Sequence, residues 1–284
     1  MVVAEGAKEY RLITQNDHAD LAGQFAAHWG NDRFATPHPR ESMLLAAQSH
    51  DNGWWHWDIH PSIDEQGAPI TFRQTPRKIL FDYLARGIDN VIEKDPYAGL
   101  IVSLHLAGLS QHRYGTLPAV PAREDESTLS FVREQEALHE ALKARLGRIE
   151  GYATATMPDH LWLNYRLMQV FDRLSLFFCC NVDFQAAADS GPSGQKDRES
   201  GKAYYGSAIK PTPVALGSED VELQLRAVNP TTLRVNPYPF DQSPLKTSIR
   251  RRIVPRKAYR SQEEFREAYA RAERQSFEYK LMPE

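Results

Sequence analysis

The chain has 284 residues, 42% of them hydrophobic and 25% charged, with a formal net charge of −3. That is ordinary globular composition. It gives no bulk positive field for nucleic acid or acidic membrane. No apolar run reaches membrane-spanning length, and the N-terminus MVVAEGAKEYRLITQ lacks the basic and apolar blocks of a secretory signal. The two cysteines, Cys179 and Cys180, are adjacent, which suits neither a staple nor a zinc motif. A cytoplasmic protein of a reducing compartment, with no nucleic-acid or membrane partner, is the expectation.

In chain order, the first two-thirds read as helical. Thr14-Gln15-Asn16-Asp17 has the form of a capping box with Thr14 as N-cap, followed by Leu21, Ala22, Phe25, Ala26 and Trp29 at helical spacing. A second helix spans about Pro39 to Asp51, with Gly53 as its stop. A Trp-rich loop, GWWHWDIHPSIDEQGAPITF, comes next. Helices are expected over 76–93, 95–109, 125–148 and 158–180, the second of these apolar nearly all round and so buried. On the charged helix, Glu136 and His139 are expected to be exposed. Residues 185–213 are small and polar and read as a loop or linker. Beyond it VELQLRAV, TLRVNPYPF and LKTSIRRRIV read as short antiparallel strands. A helix opens at the Ser261-x-x-Glu264 capping box, and FEYKLM closes the chain as a strand. The expected organisation is a core over 1–184, a linker over 185–214 and an extension of strands and helix over 215–284.

Five ionisable groups sit where a helix should bury them. His18 shares a face with Leu21, Ala22, Phe25 and Ala26, so it is either a satisfied core histidine or a ligand. His50 and Asp51 follow Met43, Leu44 and Ala47 at helical intervals; an inward Asp is costly without a cation. His105 lies in AGLIVSLHLAGL, apolar on every side. Asp172 lies in LMQVFDRLSLFF and wants either an arginine or a metal.

Taken in order, HADLAGQFA, MLLAAQSHDNG, GLIVSLHLAGL and LMQVFDRLSLF resemble the HD superfamily of metal-dependent phosphohydrolases. The resemblance covers residues 12–180. The whole chain also resembles an uncharacterised bacterial family with a GW after the His-Asp pair. The HD resemblance implies a mainly α fold, an HD-like helical bundle with a small antiparallel β-containing C-terminal extension. It implies His18, His50, Asp51 and Asp172 as ligands of a divalent transition metal (Fe, Mn, Ni or Zn), with His105 serving a second ion or the substrate. Asp51 and His105 become the catalytic candidates, and Trp54, Trp55, Trp57 and Arg173 the substrate-binding ones. The implied activity is hydrolysis of a phosphate ester or phosphorylated nucleotide by a metal-bound water. The alternatives are an HD-type iron-dependent oxygenase, or a non-catalytic sensor that retains the fold. The chain departs from the hydrolytic pattern at Trp54, where many members carry a phosphate-touching lysine.

Two further features have two readings each. Trp54, Trp55 and Trp57 form either an aromatic wall for a base or sugar or a hydrophobic anchor for the loop. Arg250, Arg251 and Arg252 form either an anion grip or the charged rim of an edge strand.

Overall fold

The computed structural model describes residues 1–111, 125–181 and 208–284. Most of the 185–213 stretch, expected to be a loop or linker, lies outside the described residues. The chain opens with strands β1 (Val2–Glu5) and β2 (Glu9–Ile13), then α1 (Gln15–His28) and α2 (Arg40–Ser49). A 3₁₀ turn at Asn52–Trp54 leads into a one-turn helix α3 (Trp55–Asp58). Helices α4 (Arg77–Lys94), α5 (Pro96–Gln111), α6 (Glu126–Leu146), α7 (Glu150–Ala153) and α8 (Pro158–Cys180) follow. The C-terminal third holds β3 (Ala208–Thr212), β4 (Val221–Asn229), β5 (Thr232–Asn236), β6 (Leu245–Pro255), α9 (Gln262–Arg271) and β7 (Gln275–Pro283).

The expectation of a mainly helical bundle with a small β extension is overturned. Among the described residues about 51% are helical and 21% are strand, and these strands make one seven-stranded half-barrel sheet. Its order is β1-β2-β6-β7-β5-β4-β3. The fold is therefore α/β. The strands are also not all antiparallel, because β5 and β7 run parallel. Two of the strands that sequence periodicity missed, β1 and β2, come from the N-terminus; they pair with each other, and β2 pairs with β6 near the other end of the chain.

The reason for the miss is burial on both faces. In β1, Val2 joins one hydrophobic cluster and Val3 the other. A strand covered on both sides is apolar without alternation and carries no period-2 signal. The main cluster lies between the sheet and helices α1, α2, α5 and α8, where Phe25, Trp29, Phe171 and Phe178 are fully buried. The second lies on the opposite face, where α9 seats Phe265 against Leu12, Val254 and Tyr259.

The first helix starts where its cap predicts. Thr14 accepts from the Asp17 amide at 3.0 Å, and its hydroxyl donates to the Asp17 carboxylate. One turn on, Gln24 clamps the Ser248 backbone of β6, donating to its carbonyl and accepting from its amide at 2.8 Å each. This pair fixes α1 on the sheet, and with it the side of α1 that faces α2 and α8.

Strand β6 is flanked by β2 and β7, so it is not an edge. Its arginines alternate as strand geometry requires. Arg250 pairs with Asp17 at 3.0 Å, Arg252 donates to the Ala272 carbonyl, and Arg251 is buried with its guanidinium 3.4 Å from the Phe277 ring centre. The edge-strand reading of this run is corrected, and the arginines engage the protein's own groups.

Candidate metal centre

Four elements bring the site together. His18 projects from α1, His50 caps the C-terminus of α2, Asp51 opens the 3₁₀ turn, and Asp172 sits in the second half of α8. All four are buried. His18 Nε2 lies 2.9 Å from Asp172 Oδ1, 3.3 Å from His50 Nε2 and 3.9 Å from Asp51 Oδ2. His50 Nε2 lies 3.5 Å from Asp51 Oδ2 and 3.6 Å from Asp172 Oδ1. His105, from α5, brings Nε2 to 3.5 Å from the other Asp172 oxygen.

The hydrogen bonds behind the cluster decide which atoms face inward. His50 Nδ1 sits 2.9 Å from the Ala47 carbonyl, which can only accept, so Nδ1 carries a proton and donates. Ser175 donates to the His18 carbonyl at 2.6 Å and lies 2.7 Å from His18 Nδ1. Were both rings neutral and protonated at Nδ1, four lone-pair atoms would converge with no donor among them. Such a set requires a cation. Bonds near 2.1 Å put neighbouring ligands about 3.0 Å apart in an octahedron and about 3.4 Å apart in a tetrahedron. The observed separations run from 2.9 to 3.9 Å. The ligand atoms of His18, His50 and Asp51, and separately those of His50, His105 and Asp172, lie within 4.8 Å of one another. His105 adds two buried ring nitrogens without a hydrogen-bond partner. These buried His and Asp groups could hold a metal ion.

The electrostatics agree. Burial works against a charged His50, but the Asp51 and Asp172 carboxylates outweigh it and raise His50 to about 9. Without a metal, a proton on His50 is thus the cluster's cation. Burial pushes Asp51 up, with His50 and His18 opposing. Burial opposes ionisation of Asp172 too, yet the His18 and His50 hydrogen bonds hold it well below the usual carboxylate range. Burial keeps His105 down at about 4, so its ring is neutral.

The other candidates fall elsewhere. Trp54 is buried edge-to-face with Phe72, Trp57 packs partly buried on the core, and Trp55 is 53% exposed, so the three do not form a common wall. Arg173 donates to the Lys210 carbonyl at 2.6 Å. Gly53 does not stop α2 through a left-handed conformation, because only Gly30, Gly67 and Gly217 have positive φ among the described residues. Sequence reading missed two contacts of the cluster. Gln15, one turn before His18, donates to Asp51 Oδ2 at 3.0 Å. Ser175, one turn after Asp172, backs His18. The helical period alone puts each beside a named ligand.

The expectation of an exposed His139 is also corrected. His139 is buried; its Nε2 lies 2.8 Å from the Ser103 hydroxyl, which donates to Gln135 Oε1. Burial pushes its pKa from 6.5 down to about 4. The unfolded chain therefore binds more protons between these values. The stability due to the neutral ring is full above pH 6.5 and is lost as pH falls toward 4, by up to roughly 3 kcal/mol. Urea unfolding of wild type and His139→Leu at pH 7.5 and pH 4.5 measures it. The wild type is expected to lose more stability over this range than the variant, and equal losses would show that His139 does not titrate this way.

Among the described residues, no helix is long and apolar enough to cross a membrane. Residues 1–256 match the model of a family described as a protein of unknown function (DUF3891). No curated protein and no solved structure matches the chain.

Proposed function

This chain belongs to the DUF3891 family, and we propose that its buried His/Asp cluster is an HD-type metal centre that hydrolyses a small phosphate ester or phosphorylated nucleotide. One observation carries the reading: His18, His50, Asp51 and Asp172, from four separate elements, bring buried ring nitrogens and carboxylate oxygens to within 2.9–3.9 Å of His18 Nε2. Two neutral imidazoles and two carboxylates suit iron, manganese, nickel or zinc. His105 and Asp172 supply donors for a second ion. When bound, a divalent ion lowers the pKa of water and polarises a phosphoryl oxygen.

The protein's own groups do the rest. Asp172 and Asp51 offset the charge of the ion. Asp51, steadied by Gln15, is the carboxylate placed to orient the attacking water. His105, neutral at physiological pH, serves better as a ligand or hydrogen-bond partner to substrate than as a proton store. Of the four, the Asp51 and Asp172 carboxylates are the least completely buried, at 9% and 8% exposure.

A second reading, an iron-dependent oxygenase, is favoured by Trp54. It is buried against Phe72 at the position where the hydrolytic pattern carries a lysine. Metal analysis of the purified protein, a panel of phosphate esters and dioxygen consumption separate the two. Asp51→Asn keeps the size of the side chain, so it is expected to lower metal content without unfolding the protein. Equal metal content in the two proteins would reject Asp51 as a ligand. A metal-loaded protein that turns over no phosphate ester would reject the hydrolase, and a protein that takes up no metal would favour a non-catalytic sensor.

A further inference from the structure

A neutral histidine has two tautomers, and only one can present Nε2 as a lone pair. At His18 that choice is made by Ser175. The Ser175 hydroxyl has one proton, and it goes to the His18 backbone carbonyl at 2.6 Å. The same oxygen lies 2.7 Å from His18 Nδ1. With its proton committed, Ser175 can only accept there, which draws the ring proton to Nδ1 against the competing pull of the Asp172 carboxylate on Nε2 at 2.9 Å. In that tautomer Nε2, on the far side of the ring, offers its lone pair beside Asp172, His50 and Asp51.

We infer that Ser175 is a positioning residue that locks His18 in the Nδ1–H tautomer and so presets it as an Nε2 ligand. Its setting is rigid. Ser175 is fully buried, and it lies three residues beyond Asp172 on the same face of α8. One side of one helix therefore supplies both the carboxylate that meets His18 Nε2 and the hydroxyl that holds His18 Nδ1. The remaining polar neighbour of Nδ1, the Cys179 thiol, is 3.9 Å away and is the weaker partner. Groups that orient a ligating histidine commonly change metal affinity about 10–100-fold when removed.

The tautomer claim stands on hydrogen-bond geometry alone; its effect on affinity rests on the metal-centre reading. Two measurements keep them apart. Nitrogen-15 NMR of histidine-labelled, metal-free protein at pH 9.5, above the value to which the carboxylates raise His50, reads the tautomer directly. The expected result is the Nδ1–H form at His18 in wild type and in Cys179→Ala. Ser175→Ala is expected to shift His18 toward a mixture of tautomers. Zinc titration is then expected to show a 10–100-fold weaker affinity for Ser175→Ala than for Cys179→Ala, with Ser175→Thr closer to wild type. An Nε2–H tautomer in wild type would overturn the inference without any variant. An unchanged tautomer and unchanged zinc affinity in Ser175→Ala would also overturn it. If the tautomer shifts as expected while no protein binds zinc, the metal-centre reading fails and the lock stands.

Discussion

Replacing Asp172 with asparagine is expected to weaken metal binding on the order of 100-fold or more, since even groups that only support a ligand cost 10–100-fold. Asp172 is the carboxylate that meets all three histidines of the cluster. One oxygen faces His18 at 2.9 Å and His50 at 3.6 Å, and the other faces His105 at 3.5 Å. It is also the carboxylate held most firmly in its ionised form. The amide keeps the shape but removes the charge, and it can offer an N–H to a histidine lone pair. The metal-free variant should therefore keep its fold, with a Tm within a few degrees of the metal-free wild type. Without the Asp172 charge, the force that keeps a proton on His50 is also reduced. Metal content after dialysis, measured by mass spectrometry and set beside thermal unfolding in chelator, gives both quantities. A variant that retains metal like wild type would remove Asp172 from the ligand set. One that unfolds without metal would make Asp172 a structural group first.

Much of this site was legible in the sequence because it stands on helices. A buried helix face is read from spacing, and a charged group on such a face is conspicuous; His18 and Asp172 were found that way. The same argument was available for His139 and was not applied. Phe131, Val132, Gln135, His139, Leu142 and Leu146 mark one continuous buried face of α6, but the surrounding glutamates and lysines drew the reading to solvent. The tryptophans obey the helical period as well. Trp54 and Trp57 turn inward and Trp55 outward, so three adjacent aromatics did not make one surface.

The sheet was not legible for a different reason. Which strands neighbour one another is decided by contacts far apart in sequence. Tyr10 pairs with Val254, and Leu233 pairs in parallel with Leu281. Nothing in either segment's composition names its partner. A short helical spacing is carried by the chain itself, whereas β2 against β6 is a long-range pairing, beside which Gln24 holds α1 on Ser248.

The corner that carries Asp51 yields the largest expected loss of stability. A Cβ on Gly53 would lie 2.0 Å from the Tyr83 carbonyl oxygen and 2.8 Å from its carbon, both backbone atoms of α4. Gly87 faces it, and a Cβ there would meet the Gly53 nitrogen at 2.8 Å. The two glycines thus let the 50–54 corner and α4 touch backbone to backbone. Asn52 then fastens the contact, donating to the Ser49 and Gly87 carbonyls at 2.8 and 2.9 Å. No flexible side chain can move aside, so Gly53→Ala must push the corner off α4. The expected cost is about 3 kcal/mol, or a fall in Tm of roughly 10 °C. The φ of Gly53 is not in the left-handed region, so the penalty is steric and not conformational. Because Asp51 precedes Asn52 directly, the same displacement pulls its carboxylate from His50 and should weaken metal binding about as much as the loss of a supporting hydrogen bond, about 10-fold. Gly151→Ala is the control: a Cβ there meets nothing within 4 Å, and alanine favours α7. Calorimetry of both variants decides the matter. If Gly53→Ala melts with Gly151→Ala and wild type, the corner does not depend on backbone contact with α4, and Asp51 owes its position to Gln15 and the histidines alone.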